Sequence, residues 1–169
     1  MKMTLIINEV EINLGIESMK VIVDSLADKR EFQDAYHQMA LSNIASIRAD
    51  VANRDNISEE TAKVLLIDKD NAVLENIINN EIAQSIATDE DIEHIMTYGS
   101  QYTVKIFVST IESFENIDSM AIYTKLLEEN NADIILSLAE NYNTPRKILK
   151  KLAKNNDKDI AQAAKSSLE

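Results

Sequence analysis

The chain has no cysteine, no tryptophan, one proline and two glycines in 169 residues, and only 5% of its side chains are aromatic. Without cysteine there is no disulfide, no Cys-ligated zinc, no iron–sulfur cluster and no thiol nucleophile. That usage suits a reducing compartment, and a cytoplasmic protein is expected. Two glycines, Gly15 and Gly99, cannot build a phosphate-cradling loop, and no cofactor or metal is called for. All-β folds consume glycine and proline at their turns, so their scarcity argues for helices. Long apolar runs are missing too. Leu5 to Ile7 is too short for a signal-peptide core, and no later stretch reaches the length that spans a bilayer. A soluble protein with no membrane partner is expected.

The 45% of apolar residues is ordinary for a globular domain, and a chain of this length buries a sizeable core. With so few aromatics, that core is expected to consist mainly of Ile, Leu, Val, Ala and Met. The abundance of Ile, Asn, Lys and Asp is that of an AT-rich coding sequence, carried by a phage or a low-GC bacterium alike.

The formal net charge is −12, unevenly spread. Residues 145–169 hold seven basic and three acidic side chains, a net of +4, which leaves −16 for residues 1–144. An acidic body disfavours direct contact with nucleic acid, which needs a basic footprint. It favours a protein partner with a basic surface, or serves solubility alone.

A cap-and-core pattern recurs down the chain. Asp28, Ser58, Thr88, Asp118 and Thr144 are suited to start helices and stand 30, 30, 30 and 26 residues apart. Four residues after each come Phe32, Ala62, Ile92, Ile122 and Ile148; eight after, Tyr36, Leu66, Met96, Leu126 and Leu152; sixteen after, Ile44, Leu74, Val104, Ile134 and Ile160. Self-similarity at such a period marks a repeat architecture. Each unit reads as a helix, a short break and a second helix. The breaks fall at Tyr98-Gly99-Ser100, Asn130-Asn131 and Asn155-Asn156-Asp157. Asp28 and Glu31 make a capping box. Pro145 takes a first helical position, where its missing N–H costs nothing, behind a Thr144 cap. Residues 16–27, with Ile16, Met19, Ile22, Val23 and Leu26, read as a helix. Within Thr4–Leu14, Val10, Ile12 and Leu14 alternate with polar residues at a strand period. A hairpin turning near Asn8-Glu9 is the favoured reading, and an N-terminal helix the alternative.

The stretch Leu138-Ala139-Glu140-Asn141-Tyr142-Asn143-Thr144-Pro145, followed by Ile148-Leu149, Leu152-Ala153 and Asp157, resembles the variant leucine-rich repeat, a HEAT-like helical repeat family. Ile82-Ala83 before Thr88 and Val51-Ala52-Asn53 before Ser58 are weaker echoes without the proline. The resemblance implies an α-solenoid that binds other macromolecules, and it transfers no catalytic residue. An iron–sulfur module carried by one relative of the family cannot apply without cysteine. Together with the period, this predicts an all-α, right-handed HEAT-like α-solenoid of four to five two-helix repeats. The units are 28–57, 58–87, 88–117, 118–143 and 144–169, behind an N-terminal cap over 1–27.

Candidate chemistry is sparse. His94 follows Glu90 and Asp91 at helical spacing, which makes at most a weak, open metal site; a solvated helix face is the favoured reading. His37, beside Tyr36 and near Asp34, reads as a partly buried side chain. No serine carries a hydrolase motif. Glu59-Glu60 and Glu128-Glu129 point about 100° apart on a helix and do not face each other. A DNA glycosylase would need a basic groove and aromatic residues to hold a flipped base. No enzyme is expected.

The primary expectation is a non-enzymatic protein–protein interaction adaptor acting through a concave face of second helices. Asn76, Asn79, Asn80, Lys105, Ser109 and Glu112 are its candidate contact residues. The alternative is an acidic nucleic-acid mimic, phage-encoded or not, that blocks a basic nucleic-acid-binding protein through Asp68, Asp70, Asp89, Glu90, Asp91 and Glu93. A third reading is a structural component, with a homo-oligomer left open. The basic end, Arg146, Lys147, Lys150, Lys151, Lys154, Lys158 and Lys165, reads as the polar face of a terminal repeat or as a surface that docks acidic protein. Lys147, Lys151, Lys154 and Lys158 form one stripe if the helix runs through.

Overall fold

Short capped helices make up most of the chain, as the scarcity of glycine and proline requires. The computed structural model describes residues 3–25 and 27–169. Two antiparallel strands come first, β1 (Met3–Ile7) and β2 (Val10–Leu14), with Ile7 opposite Val10 and Met3 opposite Leu14. Asn8 and Glu9 turn between them at φ of 49° and 68°, the left-handed pair of a two-residue hairpin turn. Asparagine tolerates that conformation, whereas Glu9 holds it against a Cβ clash. The hairpin reading of Thr4–Leu14 is therefore met and the helical alternative is not. Helix α1 (Ile16–Ser25) follows; Leu26, expected to extend its apolar face, lies outside the described residues.

The remaining helices are α2 (Gln33–Ala40), α3 (Ala45–Ala52), α4 (Glu59–Leu66), α5 (Asn71–Ile77), α6 (Glu81–Ile86), α7 (Asp89–Tyr98), α8 (Gln101–Thr110), α9 (Ser119–Glu128), α10 (Ala132–Glu140), α11 (Arg146–Leu152) and α12 (Lys158–Ser166). Three of the five expected caps act as such. Ser58 accepts the Thr61 N–H, Asp118 accepts the Ala121 N–H, and Thr88 forms a reciprocal capping box with Asp91. The other two do different work. Asp28 makes no capping box with Glu31; its carboxylate accepts the Asp55 and Asn56 N–H groups from the far end of the same unit, at 2.7 and 3.3 Å. Thr144 does not cap α11; its hydroxyl donates back to the Leu138 carbonyl at 2.9 Å. Pro145 has ψ of 133° and stands before the helix rather than in its first turn. The unit 58–87 also departs from the two-helix expectation. A third helix, α6, starts at Asn80 three residues after α5 ends, because the Asn80 side chain accepts from the Ile82 and Ala83 N–H groups.

The positions at the recurring offsets form the core. Twelve of those fifteen side chains are buried, and Phe32, Ile44 and Met96 are half-buried against them. Packing follows chain order. Helix α3 packs on α5, α5 on α8, α8 on α10 and α10 on α12. On the other side α2 packs on α4, and α4 on α6 and α7. Lys125 of α9 pairs with Glu93 of α7 at 2.7 Å, and α11 borders α9 across a hollow lined by Leu127 and Leu152. At the corner between α7 and α8, a Cβ on Gly99 would come 2.5 Å from the Ile95 carbonyl oxygen, so only glycine passes.

Hydrogen bonds between successive units tie this order together. The Asn76 amide donates to the Ala49 carbonyl, Asn80 to those of Ala52 and Arg54, Asn141 to that of Val108, and the Ser167 hydroxyl to that of Ala139. Asn80 is 7% exposed and serves one helix start and two carbonyls at once. Its replacement by alanine is expected to cost about 2–3 kcal/mol, one cap plus buried bonds. Asn79→Ala, on an exposed neighbour, should stay within about 0.5 kcal/mol. Urea unfolding followed by circular dichroism measures both.

Candidate functional site

On the side formed by α5, α8 and α10, short helices leave one face to solvent. Helix α8 buries Thr103, Val104, Phe107 and Val108. Tyr102, Lys105 and Ser109 follow each other at spacings of three and four on its outer side, and Tyr102 is 64% exposed. Helix α10 buries Ile134, Ile135, Leu138 and Ala139, which turns Ser137 and Glu140 outward. Between the two helices lies an open groove of about 320 Å³, lined by Lys105, Val108, Ser109, Ser137, Glu140 and Tyr142, with Asn141 at its end. Asn141 is held there by its bond to the Val108 carbonyl, at 2.9 Å. Tyr142, just beyond α10, is 79% exposed and forms the groove's wall. One cation, one carboxylate, two serine hydroxyls and the Tyr142 ring thus meet in a single concavity, with Val108 among its lining residues. It can hold a peptide segment with an apolar side chain and polar flanks.

Of the residues expected to contact a partner, Lys105 and Ser109 come together in this groove. Asn76 and Asn80 are spent on carbonyls of the preceding unit, and the Asn79 amide donates to the Glu75 carbonyl at 2.9 Å. Glu112 accepts from the Tyr123 hydroxyl at 2.9 Å. Burial and that neighbouring carboxylate push the Tyr123 phenol well above its ordinary pKa, so it stays a neutral donor. Sequence reasoning passed over Ser137, Glu140, Asn141 and Tyr142. The last two belong to the Asn-x-Asn-Thr-Pro segment, whose resemblance marks architecture and not contact.

The six residues of the expected acidic patch are largely engaged inside the fold. Asp68 takes a two-pronged ion pair from Arg48, Nε at 2.5 Å and Nη2 at 2.9 Å, and also accepts the Asp70 N–H. Asp70 caps α5 and Asp91 closes the capping box. Asp89 accepts the Asp118 N–H, and Glu93 pairs with Lys125. Glu90 alone among the six points to solvent without such a contact.

His94 does not assemble a ligand set with Glu90 and Asp91. Its Nε2 lies 2.8 Å from the Asp68 carbonyl oxygen and its ring stacks on Tyr98. Lys69 sits over that tyrosine, 4.9 Å from the ring centre. No group of three or more His, Asp or Glu side chains is placed to hold a metal ion among the described residues. His37 joins a short polar chain. Its Nδ1 lies 3.2 Å from the Thr61 hydroxyl, which lies 2.8 Å from Ser58 Oγ, and its Nε2 is 3.7 Å from Glu60. Thr61 is fully buried, and Ser58 Oγ accepts the Thr61 N–H as the cap of α4. The chain therefore fixes the start of α4 against α2.

No helix among the described residues is long and apolar enough to cross a membrane. No protein-family model, curated protein or solved structure matches the chain.

The Arg48–Asp68 pair yields a pH signature. Burial works against the Asp68 carboxylate, but the Arg48 and Asp70 hydrogen bonds and the Arg48 charge outweigh it and hold its pKa below the ordinary range. Stability from this group is therefore full above the unfolded value, about 3.9, and is lost as pH falls through the lower folded value. Asp68→Asn is expected to cost about 2 kcal/mol at pH 7, with the gap to wild type closing on acidification to pH 3 and below. Thermal unfolding across pH measures it; a gap that is constant with pH contradicts the pairing.

Proposed function

We propose that the chain is a non-enzymatic protein-binding adaptor, built as a short right-handed HEAT-like α-solenoid of the variant leucine-rich repeat kind. The buried register at a 30-residue period supports the repeat reading, as do neighbour contacts in chain order and bonds that each unit sends to the last. A stack of this kind curves, and its second helices, α3, α5, α8, α10 and α12, line the concave side. The observation that carries the function is the groove between α8 and α10 with Tyr142 standing exposed at its wall. An exposed tyrosine beside paired polar groups suits a recognition surface. The acidic body steers a partner with a basic surface toward it. The competing reading, a carboxylate array that mimics nucleic acid, has less support, because five of its six residues are used as caps, bridges or turn acceptors.

The test is photo-crosslinking in the native host with benzoylphenylalanine at position 109 or 137, with partners identified by mass spectrometry. Tyr142→Ala should weaken the captured complex at least ten-fold by isothermal titration while the circular dichroism spectrum stays unchanged. An interaction that ignores Tyr142 but collapses with salt, and whose partner binds nucleic acid, replaces the adaptor reading with the mimic.

A further inference from the structure

The first-helix side of the molecule carries a charge pattern that the groove does not use. Helix α11 buries Ile148, Leu149 and Leu152. Every exposed side chain from its first residue to the end of its last turn is a cation: Arg146, Lys147, Lys150, Lys151 and Lys154. No carboxylate lies within ion-pair distance of any of them among the described residues. Lys158 is not part of this set. The chain leaves the helix after Leu152 and Asp157 caps α12 anew, so the expected stripe through Lys158 is broken. On the same side, α4 exposes Glu59, Glu60 and one cation, Lys63, α7 exposes Asp89, Glu90 and Glu93, and Glu93 is met by Lys125. Helix α9, with Lys125 and Glu128, lies between the two zones. One side of the molecule thus runs from acidic at α4 and α7 to basic at α11.

We infer that this side is a self-complementary interface: a second copy, related by a two-fold axis, lays its α11 cations on the α4 and α7 carboxylates of the first and receives the same contact in return. A two-fold interface requires that each patch find its complement on the same surface, and a charge gradient reversed by rotation meets that condition. A nucleic acid or an anionic bilayer fits less well. Lys151 and Lys154 line one hollow with Leu127 and Asn130, and Glu128 and Glu129 stand between Leu127 and Asn130 in sequence. An extended polyanion on α11 therefore meets carboxylates one helix spacing away, about 8–10 Å, comparable to the Debye length of about 8 Å at physiological salt. A second copy brings the opposite gradient instead. The contact is made by long, solvated side chains, so it is salt-sensitive and of modest strength.

Sedimentation velocity on the full chain from 5 to 200 µM tests this. A monomer–dimer equilibrium is expected at 50 mM NaCl, weakened at least ten-fold at 500 mM. Lys147→Glu/Lys150→Glu/Lys151→Glu should be monomeric with an unchanged circular dichroism spectrum. Glu59→Lys/Glu60→Lys/Glu90→Lys should be monomeric as well, and an equimolar mixture of the two variants should recover a heterodimer. The wild-type salt titration stands even if one variant fails to fold. A monomer throughout the range at 50 mM NaCl overturns the proposal, as does a basic-end variant that still dimerises, or species that grow beyond a dimer. A monomeric wild type whose α11 cations bind a 20-nucleotide single strand or phosphatidylserine vesicles overturns it in favour of a polyanion site.

Discussion

The structure depends on each helix pair handing its exposed carbonyls to the next. Helices of six to ten residues are too short to stand alone in water, and each pair has an apolar face that only a neighbour can cover. Helix C-termini also leave carbonyls without partners, which many proteins close with a left-handed glycine. This chain has two glycines, and no described one adopts positive φ. Its solution is asparagine. Asn130 takes the left-handed position after α9, at φ of 55°. Elsewhere an amide or hydroxyl from the following unit serves the carbonyl: Asn80 for Ala52, Asn141 for Val108, Ser167 for Ala139. The lack of glycine and the coupling between units are thus the same physical fact. A segment that lost its successor would expose both apolar side chains and a set of unsatisfied carbonyls.

The same economy accounts for much of the acidity. Asp70, Asp91, Asp118 and Asp157 each hold a helix start, where the dipole also favours a negative charge, while Asp28 accepts backbone N–H groups from the far end of its own unit and Asp89 one from the next. Asp68 goes further. Its carboxylate holds Arg48 of α3 and its carbonyl lies within hydrogen-bond distance of His94 of α7, so three successive units meet at one residue. These aspartates contribute to net charge while serving the backbone. A count of acidic residues therefore overstates the charge available to a partner.

The apolar register was legible because burial obeys it: a position that recurs every 30 residues and is always apolar has only one place to go. Ser58, Thr88 and Asp118 were legible as caps because they precede their helices directly. Asp28 and Thr144 carry the same chemistry, but a competing acceptor or donor across the fold claims them, and nothing local reveals that. The starts of second helices at Ser100, Asn131 and Asp157 fall in segments that read from sequence only as breaks, although a break and a cap are the same residue seen from its two sides. For the groove, spacing found Lys105 and Ser109 because an outward helical face follows from its buried one. It failed for Asn76 and Asn80, whose outward faces are covered by the previous unit. It could not find Tyr142, which lies outside any helix and owes its position to the bonds of Asn141 and Thr144 on either side.

A division by side-chain length follows, and it bears on recognition. The short polar residues, Asp, Asn, Ser and Thr, are mostly consumed in caps and inter-unit bonds, since they alone reach the backbone without spanning solvent. The polar side chains left free are the long ones, Lys and Glu, with Tyr102 and Tyr142 beside them. Ordering a lysine or glutamate at an interface costs about 0.5–1.5 kcal/mol of rotamer freedom, which offsets most of what an exposed ion pair returns. A tyrosine orders with two torsions and brings far more contact area. For a partner of the proposed kind, charge would therefore act mainly at a distance, setting which surfaces approach and in what orientation, while short-range affinity would fall to the exposed tyrosines. On the proposed reading the two sides would take different tasks: orientation by charge along the first helices, and grip in the groove between α8 and α10.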